Sequence, residues 1–425
     1  MDIFQEGQNT TRLIVLSLLI LLFSANSFAH TMPFLTLQKA WQKVQISNPG
    51  LKSSGFGIAA ALGDVTQSRF IPNPSLNVVA ENFGGNRSAQ DEESDTTVWL
   101  NQPIQLGDKR HLRMQTASSQ YGASVLVFKT QKTRAFLQTT ESFLSVAQAQ
   151  AQFRLAQQAV RINQQTVNTI QRRATAGRAP ELELKSAQVA LADQKILEKT
   201  ALQQWLSARY NLASLWGGSL SDVKEVTLQS FNTGWSLPSL PSLMNLLQNN
   251  ASLKAFKQQA KVAHTEVGLA RANGKPDINI GAGYRHFNQT NDHAYVAQIS
   301  LPLPLFNRNQ GNIAKALANS NSAIQQWLNQ RNALKNELFA TYQNAVLARS
   351  QVNMLQKNII PNAQQALALA REGYVQGRFS YLDLLNAQQK LRDEKARYIT
   401  ALFTYRKAWI ALQVLVGNLP AQETH

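Results

Sequence analysis

The strongest constraint on this chain is that it repeats itself. Residues 371–393 read REGYVQGRFSYLDLLNAQQKLRD and residues 171–193 read QRRATAGRAPELELKSAQVALAD. Gly377, Arg378, Leu382, Leu384, Ala387, Gln388, Leu391 and Asp393 thus return to Gly177, Arg178, Leu182, Leu184, Ala187, Gln188, Leu191 and Asp193 at an offset of 200. Pro74–Val78 matches Pro276–Ile280, Gln102–Leu106 matches Leu301–Leu305, and Leu215 and Gly217 match Leu415 and Gly417, all in the same order. One unit of about 200 residues used twice predicts a pseudo-symmetric object rather than two unrelated domains.

In each copy a long Ala/Gln/Leu-rich helical pattern runs up to the Gly, and a second begins at Pro180 or Ser380. Gly stops helices and Pro or Ser starts them, so each copy is a tight turn between antiparallel helices. The patterns before the turns, Asp108–Ala176 and Gln310–Gln376, hold only one internal proline, Pro361, which predicts a kink or slight unwinding. Helices of this length reach about 100 Å. In the second copy Leu338, Tyr342, Ala345, Ala348, Val352, Leu355 and Ile359 keep coiled-coil spacing. Pro180–Trp216, Ser380–Val416, Pro49–Phe70 and Ser239–Arg271 are roughly half as long. Two halves stacked end to end would flank one long helix, giving an elongated cylinder of antiparallel helices.

Between the helical patterns lie segments of period two. Leu76, Val78 and Ala80 alternate with Asn77, Val79 and Glu81, and Val98, Leu100, Ile104 and Leu106 oppose Thr97, Asn101 and Gln105. Strands are predicted at about 74–83 and 96–106, joined by the polar Gly84–Asp95 loop, and again at about 276–287 and 295–305. Their length and alternation suit a membrane β-barrel, although four strands cannot close one, so copies of the chain would share it. A small soluble sheet over the helices is the simpler alternative.

Arg12, the apolar Leu13–Phe23 and Ser27-Phe28-Ala29 form a secretory signal peptide, too short to span a bilayer. With no cysteine, disulfides and thiolate chemistry are excluded. The net charge of +17 is spread along helical patterns without interleaved aromatics, which argues against nucleic acid as a partner. The layout is a signal peptide at 1–29, a first repeat at 30–216, a linker at 217–238 with a short strand, a second repeat at 239–418 and a tail at 419–425.

At Gln102–Arg110, Pro302–Asn312 and the two Gly-Arg turns, the chain resembles the TolC-like outer-membrane efflux protein family, in particular its heavy-metal (cobalt-zinc-cadmium resistance) branch. The resemblance implies a mainly α fold with a membrane β portion. Its form would be a homotrimer with an α-barrel of twelve helical staves capped by a shared twelve-stranded β-barrel. It further implies an exit duct in the bacterial outer membrane, mostly periplasmic, served by a periplasmic adaptor and a proton-driven inner-membrane pump. Divalent heavy-metal cations would be the cargo, with drug efflux or type I secretion as the alternative for the same architecture. A poreless periplasmic coiled-coil scaffold is the rival from another class.

The resemblance also places candidate residues. Asp383 stands where family carboxylates narrow the pore, Tyr374 where a tyrosine latches onto the neighbouring helix pair, and Glu183 where a first-repeat acid meets it. Asn386 replaces a second aspartate and argues against a double acidic ring. Gly177-Arg178 and Gly377-Arg378 become adaptor-docking points. Asp and Glu are also favoured at any helix N-terminus. No enzyme site emerges, and no cofactor is implied. His286, Asp292 and His293 suit an exposed loop better than a metal site, and Gly281-Ala282-Gly283 lacks the rest of a phosphate loop.

Overall fold

The computed structural model describes residues 34–82, 94–228, 236–288 and 290–418. The signal peptide at 1–29, most of the Gly84–Asp95 loop, the middle of the 217–238 linker and the tail at 419–425 lie outside the described residues. Each repeat runs short helix, half-length helix, hairpin, long helix, half-length helix. The first comprises α1 (Leu37–Ser47), α2 (Pro49–Ser68), β1 (Ser75–Glu81), β2 (Asp95–Ile104), α3 (Lys109–Thr175) and α4 (Glu181–Ser214). The second comprises α5 (Leu240–Leu246), α6 (Ala251–Asn273), β3 (Ile278–Phe287), β4 (His293–Ser300), α7 (Gln310–Met354), α8 (Ile360–Val375) and α9 (Tyr381–Leu415).

The helix α3 runs unbroken for 67 residues, about 100 Å. Its counterpart is interrupted between α7 and α8 by one π-helical stretch, Leu355–Ile359. Pro361 is the cause: it has no N–H, and its ring crowds the carbonyl four residues back, which the wider turn relieves. The unwinding expected at this proline is thus present.

The half-length helices do stack end to end, and one asparagine makes each joint. Asn48 Oδ1 accepts the Leu51 N–H at 3.1 Å, starting α2, while Nδ2 donates to the Leu215 carbonyl at 2.8 Å, finishing α4. Asn250 repeats this with Leu253 at 3.1 Å and Leu415 at 2.9 Å. Here the structure corrects the reading of Ser239–Arg271 as one helix: α5 and α6 separate at Asn250, because its amide is needed by two helix ends at once.

Apolar clusters hold the staves together. Trp41, Phe136, Phe143, Leu144, Leu212 and Phe403 pack into one, and Leu243, Leu334, Leu338 and Leu412 into another. Phe143 and Leu338 are fully buried, each contributing about 1.5–3 kcal/mol. Among the described residues the linker supplies one isolated parallel bridge, Val226 with Leu35, while residues 229–235, on which the expected short strand falls, lie outside the described residues. Buried Gln150 grips Val226 from both sides, donating to its carbonyl at 3.4 Å and accepting its N–H at 3.1 Å.

The strands form one antiparallel sheet in the order β1-β2-β3-β4. Val78 faces Val98, Val98 faces Tyr284, and Tyr284 faces Tyr295, so opposed residues share a face from edge to edge. One face carries Leu76, Val78, Val98, Leu100, Ile280, Tyr284, Tyr295 and Ile299, all exposed. The other carries Asn77, Glu81, Asp95, Thr97, Asn101, Asn279 and Arg285, together with Val79, Trp99 and Phe287. The strand expected to reach Leu305 ends at Ser300, because Pro302 and Pro304 have no N–H to give a ladder. Among the described residues no helix is long and apolar enough to cross a membrane.

Candidate functional site

The end of the helical cylinder opposite the sheet is built by the two Gly-Arg turns. Gly177 (φ +66°) and Gly377 (φ +74°) take the left-handed conformation that closes a helix. Arg178 N–H reaches the Arg173 carbonyl at 2.7 Å and Gly177 N–H that of Ala174 at 2.9 Å. Arg378 and Gly377 repeat this with Gly373 at 2.8 Å and Tyr374 at 3.2 Å. Both are Schellman closures, and they leave Arg178 and Arg378 exposed at the tip.

Just behind the turns the two repeats meet. Val167, Ile170, Leu184, Ala187 and Leu191 from the first pack with Ala370, Tyr374, Tyr381 and Leu384 from the second. Within this contact the buried Tyr374 hydroxyl donates to Glu183 Oε2 at 2.9 Å. Burial first, and then the Glu183 hydrogen bond, push the Tyr374 phenol up to about 12. Burial and the Glu183 charge also raise Tyr381, whose ring meets that of Tyr374 edge-on at 6.3 Å. Tyr374 and Glu183 are therefore brought together as a neutral donor on a carboxylate.

Asp383 stands apart from that pair and closes the N-terminus of α9. Its Oδ2 accepts from the Ser380 N–H at 2.9 Å and hydroxyl at 2.7 Å, while Ser380 Oγ accepts the Asp383 N–H at 3.2 Å. The Ser380 hydroxyl and then its N–H hold the Asp383 carboxyl below its ordinary range. This is a full capping box, made by a carboxylate that is still open to solvent.

Sequence reasoning passed over Arg173. It donates to the Tyr374 carbonyl at 2.9 Å and lies over the ring at 4.6 Å from its centre, so a cation of the first repeat clamps a tyrosine of the second. A signal was available: at the 200-residue offset Arg173 corresponds to Gly373, a break in the repeat. Gly373 is needed where it is because a Cβ there would run into the Phe379 ring.

At the opposite pole His286 and His293 are cross-strand partners with rings stacked at 5.7 Å. Among the described residues no group of three potential ligands gathers for a metal ion. The motif at Gln102–Arg110 is a strand-to-helix corner. Lys109 pairs with Asp277 at 2.7 Å, Asp277 also accepts the Leu106 N–H at 3.0 Å, and Gly107 is left-handed at φ +72°.

The sequence model for one family, described as outer membrane efflux protein, matches residues 40–218 and 243–418. The chain belongs to the outer membrane efflux protein family. It is similar to the cobalt-zinc-cadmium resistance protein CzcC of Cupriavidus metallidurans, 29% identical over 389 residues and 90% of each chain. It is 24% identical over 271 residues to the nickel and cobalt resistance protein CnrC of the same organism, covering 63% of each chain. Among solved structures, CusC superposes with a TM-score of 0.76 at 16% identity over 90% of this chain and 92% of that one. The outer membrane protein VceC of Vibrio cholerae superposes at 0.74 and 20% identity over 90% and 96%.

Members of the outer membrane efflux protein family form trimeric outer-membrane channels that work with adaptors and inner-membrane pumps. The sheet explains the trimer physically. Among the described residues its edges β1 and β4 are unpaired, and an unpaired edge is not viable in lipid. Three four-stranded sheets exceed the minimum of about eight strands for closure, with the apolar face outward.

Proposed function

We propose that this protein is the exit duct of a tripartite efflux system that releases divalent heavy-metal cations across the outer membrane. The observation that carries the cargo assignment is the 29% identity to a cobalt-zinc-cadmium resistance protein across 90% of both chains. The observation that supports a pore over a poreless scaffold is the exposed apolar face of the sheet, for which a scaffold has no use. A duct needs no ligand set of its own, since selection belongs to a pump upstream.

In this reading the pump is proton-driven, and the adaptor docks on the exposed tips Gly177-Arg178 and Gly377-Arg378. Tyr374 and Glu183 hold the two repeats closed at the periplasmic end, and the Asp383 carboxylates of three copies line the constriction. The capped, ionised state of Asp383 supports that role, because a carboxylate held below its usual range stays charged in the lumen.

The test is deletion of the gene followed by growth on graded zinc, cadmium, cobalt, nickel, copper and silver, beside detergents, dyes and antibiotics. Sensitivity to one or more metals is expected. Sensitivity confined to organic compounds would overturn the metal assignment in favour of drug efflux.

A further inference from the structure

The charges of the four strands are few and are all in one place. Glu81, Asp95 and Arg285 are the only Asp, Glu, Lys or Arg residues in β1 to β4. The register puts all three on the polar face, since Glu81 is opposite Asp95, Asp95 is opposite Phe287, and Arg285 lies two residues from Phe287. They also sit at one level, the strand ends farthest from the helices. His286 and His293 lie on the other face.

Within this layer the partners are unequal. Arg285 gives one nitrogen to Asp95 at 3.3 Å and another to the Thr97 hydroxyl at 2.9 Å. Its remaining contact, with Glu81, is looser at 3.8 Å. The Asp95 side chain is only 9% exposed and is committed to the pair, whereas that of Glu81 is 51% exposed. One carboxylate is thus neutralised in place, and the other is loosely held and open to solvent.

We propose that Arg285, Asp95 and Glu81 set the ion selectivity of the barrel, making its outer end cation-favouring in a chain whose overall charge is strongly positive. This rests on the duct reading. Two carboxylates and one guanidinium leave one negative charge per copy, and three copies in one barrel bring these charges around a single water-filled axis. Rings of Asp or Glu select cations in pores, and a wall of one sign raises the local concentration of the opposite ion. The cargo class this layer fits is a hydrated metal cation, not an anionic or bulky organic one. Arg285 is the specificity-determining residue: it ties β3 to β1 and β2 and withdraws Asp95 from the lumen, so that among the strand residues Glu81 carries the uncompensated charge.

The experiment uses the full-length trimer in planar bilayers under a potassium chloride gradient, with the reversal potential as readout. The wild type should prefer potassium over chloride. Glu81→Gln should lower that preference about two-fold, and Glu81→Lys should invert it. Arg285→Gln, which keeps a donor for Thr97, should raise it. An identical reversal potential for wild type, Glu81→Gln and Glu81→Lys, with conductance intact, would overturn this proposal and leave the duct standing. Absence of any conductance would overturn both. Trimer mobility of each variant in mild detergent separates a selectivity change from failed assembly.

Discussion

At the scale of single residues, the contact between Tyr374 and Glu183 is the one most exposed to test. A hydrogen bond to a charged group contributes about 1.5–3 kcal/mol, so Tyr374→Phe should loosen the periplasmic end without disturbing packing. A raised resting conductance is expected, and wild-type conductance would locate the constriction elsewhere. The phenol also has a pH signature. Its folded value rises from 10.0 to about 12, so the fold keeps a proton that the unfolded chain has already released. That stabilisation is complete below pH 10.0 and is lost as pH climbs through about 12. Asp383 runs the other way, its contribution vanishing as pH falls through its lowered value. Gly377→Ala tests the turn: the space around it is open, so the cost is the left-handed backbone alone, about 1–2 kcal/mol. A lower Tm is the expected reading. Tyr374, Glu183 and Asp383 were legible as a set only because the family resemblance points to them. Arg173 was marked only by its mismatch with Gly373 in the repeat, since a basic residue in a last helical turn is favoured on local grounds alone.

At the scale of elements, the two asparagine joints carry a specific expectation. Asn48→Ala and Asn250→Ala should each cost about 0.5–2 kcal/mol for the lost cap. The loss at Asn250 should be larger, because Asn250 is buried whereas Asn48 is half-buried, so the Leu415 carbonyl left unpaired is less open to water than that of Leu215. Urea unfolding of the two variants side by side checks the order. The long helices, both hairpins and both Gly-Arg turns were readable in the sequence, because duplication displays each signal twice. The break at Asn250 was hidden: Pro49 and Gly50 advertise it in the first copy, whereas their counterparts Ala251 and Ser252 are residues that a helix interior accepts. Leu301–Leu305 misled in the opposite direction, since its apolar alternation continues past the point where proline ends the ladder.

At the scale of the whole molecule, the exposed arginines at the turn tips and the open sheet edges define the two ends. Arg178→Glu combined with Arg378→Glu should abolish export while leaving the trimer intact, as read by metal tolerance beside native mobility. Unchanged tolerance would remove the docking role. The open edges of β1 and β4 have a further consequence, for inheritance. A barrel closed by three identical subunits is only as good as its worst seam, so one copy with a spoiled edge disables two sound ones. Where normal and edge-defective genes are expressed equally, roughly one assembly in eight contains no defective subunit. Lesions in the strand edges should therefore behave as dominant alleles, suppressing metal tolerance in a strain that still carries an intact gene. Lesions that stop the chain from folding at all should be recessive.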